Sequence, residues 1–275
     1  MFSKMACISL ICTTFVIMKL IFSKYQGTGN DFVMIDNING AYNSLSVAQV
    51  KFLCDRKLGV GADGLIKLSK RKGFDFEVEY FNADGSQSFC GNGARCSVAF
   101  AKAIGIIDSE ASFYAIDGAH KAFIDGVDVR LEMLPVNNYE LIGNDFVLDT
   151  GSPHYIHLVE NIEDKNIVDY GRSIRYSDCY RDNGINVSTM ATISDCEVSV
   201  VTYERGVEDE TLSCGTGVTA CALVFMVVNN QTCSELTINT KGGVLKVEAQ
   251  RNNKEFTDIW LRGPTTFVFN GSIDA

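Results

Sequence analysis

Two cysteines stand directly before a Gly-x-Gly: Cys90 in FCGNGARC (89–96) and Cys214 in SCGTGVTAC (213–221). A cysteine is ordinarily a small buried hydrophobe. Here each is followed by glycines, which let a ligand approach the backbone closely, and each stands where a helix is predicted to begin. The free N–H groups and positive dipole end of a helix bind carboxylates. They also lower a thiol's pKa from its usual value of about 8.5. A thiolate beside a bound carboxylate suits removal of the proton next to that carboxylate. Two such sites facing each other across a cleft could take a proton from one face of a carbon and return one to the other, inverting the centre. The helix N–H groups would stabilise the enolate-like intermediate as an oxyanion hole does. This chemistry needs no metal and no pyridoxal.

Other polar residues fall near these stretches. Glu204 and Arg205 lie in TYERGVEDE, just upstream of Cys214. Such a pair is usually a solvated strand end; before a reactive loop it suits a zwitterionic ligand, with Arg205 gripping a carboxylate in bidentate fashion. Asn30, Asn82 and Asn186 each stand at a predicted strand end beside Gly or Asp, where one alone reads as a turn residue. His154, after Gly-Ser-Pro, is divided between turn packing and the site. His120 and His157 read as structural, and Asp63, Asp84 and Asp209 as turn or cap residues. GVGADG (59–64) matches a dinucleotide fingerprint by its letters. A helix pattern precedes it and a strand pattern follows, so the helix N-terminus that holds a pyrophosphate is missing and a nucleotide role is rejected.

The elements that must position these residues repeat. KLIFSKYQGTGNDFVMID (19–36) gives two strands around a Gly-rich turn. SVAQVKFLCDRKLGVG (46–61) predicts a Ser-capped helix running to Gly59. GLIKLS (64–69) and DFEVEYFNADG (75–85) read as strands, ARCSVAFAKAIG (94–105) as a helix ending at Gly105, and SFYAID, KAFIDG and VDVRLEML as short strands. The second half follows the same plan. DFVLDTGSPHYIHLV (145–159) is strand, turn, strand; 160–180 is helix-like or loop; INVSTMATI and CEVSVVTYERG are strands, and VEDET is an acidic turn. VTACALVFMVVNN is an apolar helix, and ELTINT, GGVLKVEAQ, TDIWLRG and TTFVFNGSI are strands. The helices are too few for a doubly wound sheet. The expected fold is α/β of the α+β type: two pseudo-symmetric lobes, each of mostly antiparallel strands curled around a central helix, with the site in the cleft between them.

Bulk properties agree with a small-molecule enzyme. The chain has 275 residues, 46% hydrophobic and 21% charged, with a net charge of −10. That balance disfavours nucleic acid or an anionic membrane as a partner. Ten cysteines without zinc-ribbon spacing suit a reducing cytoplasm. Residues 5–18, MACISLICTTFVIM, form an apolar run resembling the core of a signal peptide. It has no clear cleavage site, and MKLIFSKYQGTGNDF reads as the start of a folded domain at Met18. Residues 1–17 are therefore expected to be a misassigned start or a dispensable extension, against the alternative of an export signal.

FSKYQGTGNDFVMID, GVGADG, FNADGSQSFCGNGARC, TGSPHY, GINV, YERGVEDETLSCGTG and TTFVFNGSI together resemble the diaminopimelate epimerases, pyridoxal-independent two-cysteine enzymes, from about Met18 to the C-terminus. The resemblance implies interconversion of LL- and meso-diaminopimelate, in lysine and peptidoglycan precursor biosynthesis. It implies a first lobe of residues 18–134, completed by the final strand at 264–275, and a second lobe of 135–263. It makes Cys90 and Cys214 the base and acid. Gly91, Asn92, Gly215 and Thr216 would hold the reacting carboxylate, and Asn30, Asn82, Asn186, Glu204 and Arg205 the rest of the substrate, Arg205 taking the distal carboxylate. His154 and Glu204 would flank the reacting centre, with Ser152 in support. Expected partners are a small-molecule substrate and a second copy of the chain; no cofactor is expected.

The chain also departs from the pattern. Gly64 stands where many members have Gln, removing a contact to substrate, and Ser152 where many have Asn. The Asn82–Cys90 loop is one residue shorter than expected and the Arg205–Cys214 loop one longer. The nearest rival is a proline or hydroxyproline racemase, whose usual signature is Cys-Gly-His-Gly; Asn92 stands in the His place. A non-enzymatic rival is a binding module whose cysteines form a redox switch.

Overall fold

The computed structural model describes residues 19–230 and 233–274. The reading of residues 1–17 lies outside them. In chain order the elements are β1 (Lys19–Gly27), β2 (Asn30–Asn37), α1 (Val47–Cys54), β3 (Gly64–Ser69), β4 (Phe76–Asn82), α2 (Gly91–Ala103), β5 (Glu110–Ala115), β6 (Gly118–Asp125) and β7 (Asp128–Glu132). The second half gives β8 (Glu140–Ile142), β9 (Asp145–Asp149), β10 (Pro153–Val159), α3 (Ile167–Arg175), β11 (Asn186–Ser194), β12 (Glu197–Glu204), β13 (Asp209–Thr211), α4 (Gly215–Val228), β14 (Cys233–Thr240), β15 (Gly243–Asn252), β16 (Glu255–Pro264) and β17 (Thr266–Asp274). A short 3₁₀ turn covers Ile162–Asp164.

Most strand neighbours are antiparallel. The four parallel pairs are β2–β3, β4–β5, β10–β11 and β12–β14. Each is joined through one helix, as a parallel crossover requires: α1, α2, α3 and α4 in turn. The two halves therefore share one plan. An antiparallel pair (β1–β2, or β9–β10) feeds an outer helix, a second pair (β3–β4, or β11–β12) feeds an inner helix, and three strands follow. Antiparallel β7–β16 and β1–β17 pairings link the halves.

Period-two alternation decides which helix each strand face covers. On β2, Phe32 and Met34 enter the central core with α2 and α4, while Val33 and Ile35 pack with Val50 and Leu53 of α1. On the other side, Ile156 and Met190 enter the central core, and Tyr155 and Val187 pack with Ile167 of α3. Helix α4 is buried on all sides from Gly215 to Met226, as its unbroken apolar sequence requires.

Local differences from the sequence reading have plain causes. Helix α1 stops at Cys54, not Gly59, because the Asp55 carboxylate accepts from the backbone N–H of Lys57 and Leu58 and turns the chain. Helix α2 begins at Gly91 rather than Ala94, with Cys90 as its N-cap; its glycines lie inside the first turn. The acidic VEDET turn includes a short strand, β13, paired with β12. The three-residue β8 escapes a pattern search because all of it is exposed. Among the described residues, no helix is long and apolar enough to cross a membrane.

Candidate active site

Cys90 and Cys214 are the N-cap residues of the two inner helices, and both line one pocket. The helix ends abut. A Cβ added to Gly215 would lie 3.1 Å from both the Asn92 nitrogen and the Gly91 Cα, and one added to Gly91 would lie 3.5 Å from the Gly215 Cα. The glycine after Cys214 is thus pressed tightly against the other terminus, while a Cβ at Gly91 would meet the Gly215 Cα at ordinary contact distance and the Leu261 side chain more closely, at 3.2 Å. The second glycine of the α4 end, Gly217, makes room for the thiol to curl over its own helix, since a Cβ there would lie 3.2 Å from the Cys214 Cβ and 3.3 Å from its Sγ; at Gly93 a Cβ would instead meet Ile66 at 2.9 Å. The Cys90 Sγ accepts from the Gly93 N–H at 3.4 Å.

Of the residues singled out in the sequence, Asn30, Asn82, Gly91, Asn92, Glu204, Gly215 and Thr216 line the same pocket. Asn92 does so with its amide already engaged. Its Nδ2 donates to the Ser213 carbonyl at 2.9 Å and its Oδ1 accepts from the fully buried Arg95 at 3.0 Å, so it ties α2 to the loop before Cys214. Asn186, Ser152, Arg205 and His154 do not line the pocket. They form a cluster behind it. Asn186 donates to Ser152 Oγ at 2.8 Å and accepts from the Arg205 N–H at 2.8 Å. The Arg205 guanidinium donates to the Asn183 carbonyl at 2.9 Å and to Ser152 Oγ at 3.4 Å. His154 is fully buried, with Nε2 2.9 Å from Thr216 Oγ1. Burial, then the charge of Arg205, pushes its imidazole down to about 3, so it is neutral and acts through Thr216 rather than as an acid.

Pocket residues that the sequence reading missed are Tyr80, Ser88, Phe89 and Ser213. Three of them stand within two residues of a cysteine and were legible by proximity. Tyr80 was not. It lies on β4 across from β3, and a Cβ on Gly64 would meet its ring at 2.4 Å. The tyrosine fills the space that a side chain at 64 would take. Asp63 was read as a turn residue. It instead accepts from the Asn30 amide and from Arg56, at 2.8 and 2.7 Å.

The expectation of lowered thiol pKa values is overturned. Burial pushes Cys90 up to about 12, and the Glu204 charge adds to the rise; the Gly93 and Asn92 N–H groups pull the other way without prevailing. Burial, then Glu204, also raises Cys214 well above the ordinary thiol value, against the Thr216 hydroxyl and the Gly217 N–H. A charge moved out of water loses more than two helix-end donors return. Glu204 itself is raised to about 7, chiefly by burial, while bonds from Thr211 and from the Cys214 thiol oppose the rise. The space within the pocket is about 30 Å³, more than the ~10–15 Å³ that a single water needs.

Comparison with known proteins adds the family. The sequence model of the diaminopimelate epimerase family matches residues 22–128 and 146–268. A diaminopimelate epimerase of Flavobacterium psychrophilum is 46% identical over 252 residues, spanning 91% of this chain and 98% of that protein. The chain belongs to the diaminopimelate epimerase family. The Aquifex aeolicus diaminopimelate epimerase is 36% identical across 92% of this chain and 97% of its own. Among solved structures, a Bacillus anthracis phenazine biosynthesis protein of the PhzF family superposes with a TM-score of 0.73 at 12% identity, over 94% of this chain and 100% of that one. A hydroxyproline epimerase from Agrobacterium vitis gives 0.68 at 14%, over 93% and 91%. At such identities the likeness is one of fold. It places this diaminopimelate epimerase family member in the same two-lobed architecture.

Proposed function

We propose that this protein interconverts LL- and meso-2,6-diaminopimelate by proton transfer at one α-carbon, supplying lysine and peptidoglycan precursors in the cytoplasm. One cysteine, as thiolate, takes the Cα proton and becomes a thiol. The other gives its proton to the opposite face and is left as thiolate, so atoms and charge balance and the roles exchange with direction. The observation that carries the reading is the abutment of two Cys-capped helix N-termini at one pocket. The N–H groups of both ends converge where the reacting carboxylate gains charge, which is the geometry of oxyanion stabilisation. Glu204, the one carboxylate lining the pocket, suits the substrate ammonium. Arg205, held in the cluster behind the pocket, is the group proposed for the distal carboxylate.

Thiolate formation depends on the substrate: a bound ammonium supplies the positive charge that the buried thiolate lacks. A second copy of the chain remains the proposed partner, with half-exposed Phe267, Val268 and Phe269 on β17 offering an apolar strand; sedimentation of the purified chain as a monomer at micromolar concentration would remove it. The reaction is tested by incubating the reduced protein in D₂O with LL-diaminopimelate and, in parallel, L-proline. Deuterium incorporation with inversion at one α-carbon of diaminopimelate alone is expected. Exchange of proline alone would replace this reading with the racemase one, and no exchange of either would end it.

A further inference from the structure

The GVGADG turn finds no role in the two-base reaction, yet it delivers Asp63 to the edge of the site. The Asp63 Oδ2 accepts from the Asn30 Nδ2 at 2.8 Å and from the Asp31 N–H at 3.2 Å. Its Oδ1 accepts from Arg56 at 2.7 Å. Arg56 also forks onto Asp31, at 3.0 and 2.7 Å, and Asp31 pairs with the buried Lys24 at 2.8 Å. Burial pushes the Asp31 carboxyl up, but its bonds from Arg56 and Lys24 outweigh that and hold it at about 2. The cluster is a charged scaffold with its acceptors fixed.

The consequence is carried by one amide. An ionised carboxylate only accepts hydrogen bonds, so the end of Asn30 that faces Asp63 must be its NH₂. The other end, the oxygen, is the atom facing Cys90, with Oδ1 3.6 Å from Sγ. An amide oxygen also only accepts. The contact is therefore satisfied only when Cys90 carries its proton. We infer that Asp63, braced by Arg56, is a positioning residue that locks the Asn30 amide and holds Cys90 as the thiol of the resting site. If Asn30 were free to turn, its NH₂ would donate to a Cys90 thiolate instead. This deepens the two-cysteine reading and rests on it for its catalytic meaning, but the protonation state it assigns is measured without substrate.

The test is the pH dependence of Cys90 alkylation by iodoacetamide, followed by peptide mass spectrometry on the reduced full-length protein. Groups that also face Cys90 are Glu204, Arg95, Tyr80 and Cys214; the variants leave them in place. Asp63→Asn keeps the shape and frees the amide. Its Cys90 profile should move to lower pH by about one unit, the equivalent of one ordinary hydrogen bond, while the Cys214 profile stays. Asn30→Ala should produce the Cys90 shift alone, and Asp63→Asn added to it should produce no more. Removing the Asp63 charge could itself favour a thiolate, but that effect would persist in the Asn30→Ala background. An unmoved Cys90 profile in Asp63→Asn, or an equal further shift in the double variant, would overturn the assignment. Should Asp63→Asn fail to fold, Asn30→Ala decides, since an unmoved profile there leaves Cys90 with no dependence on the amide. Failure of the epimerase reading would show as absent deuterium exchange, an independent measurement.

Discussion

The two halves of the site are built from equivalent elements and equipped differently. Cys90 and Cys214 cap equivalent helices, α2 and α4. At the strand end before each helix stands Asn82 on β4 in one half and Glu204 on β12 in the other. Four residues into each helix, Arg95 and Thr219 bond back to the carbonyls of Gly91 and Gly215, at 3.4 and 3.0 Å. The α2 half thus buries a guanidinium and presents its thiol to a fixed neutral amide, that of Asn30. The α4 half buries no charge in its helix. It presents its thiol to a hydroxyl that can rotate, Thr216 Oγ1 at 3.5 Å, and to a carboxylate that titrates near neutrality, Glu204. The two frames are alike, and the polar residues set into them make one thiol depend on a rigid partner and the other on an ionisable one.

The largest effect should come from removing either thiol. Cys90→Ala and Cys214→Ala should each lower epimerisation by about 10²–10⁴-fold, the worth of a positioned acid or base, with unchanged melting curves. Steady-state turnover checks this, and a large inequality between the two losses would show that only one half does the chemistry. Next is the contact between the frames. Gly215→Ala places a methyl 3.1 Å from the Gly91 Cα and the Asn92 nitrogen. The neighbours must then give by a few tenths of an ångström; since a displacement of about 1 Å at such a site costs on the order of 10²-fold, kcat should fall by less than that while the circular dichroism spectrum stays native.

Glu204→Gln tests the ionisable half. The folded-state carboxyl is raised from 4.5 to about 7, so its charged form is disfavoured on folding. Stability is whole below about pH 4.5 and is lost as pH climbs through 7. The variant should be more stable than the parent above pH 7, by about 1–3 kcal/mol, and equal to it near pH 4. Denaturant titrations at the two pH values decide this, and equal stability at both would show that burial of Glu204 is without cost. The smallest effect is expected at Tyr80, which lines the pocket from β4. Tyr80→Phe should raise KM for diaminopimelate about threefold to tenfold, one hydrogen bond's worth, with kcat little changed; a fall in kcat alone would assign the phenol to the reaction instead.

Much of this was legible without coordinates. The paired Cys-Gly-x-Gly stretches exposed the two helix ends that meet at the pocket, because glycine at a helix start has few reasons other than close approach. Strand alternation and the single apolar helix of each half foretold strands packed on a central helix; that an outer helix covers the other face of each sheet was not foretold. Asn92 and Arg205 were legible as polar residues near the site but not in their actual contacts, since an amide or guanidinium in sequence carries no record of which partner takes it. Asp63 was misjudged for a related reason: its neighbours in the chain are glycines and an alanine, while its partners, Asn30 and Arg56, come from β2 and the segment after α1.

The sequence by itself determined that two cysteines stand at the starts of two helices, one in each of two similar frames, a consequence of local spacing. Tertiary structure alone decided that the two helix ends touch through Gly91 and Gly215, that Tyr80 fills the space beside Gly64, that both thiols are raised by burial, and that Asn30 turns its oxygen to Cys90. These depend on which groups from distant segments share a small dry volume. Desolvation and hydrogen-bond direction are properties of that volume and not of any one stretch of chain.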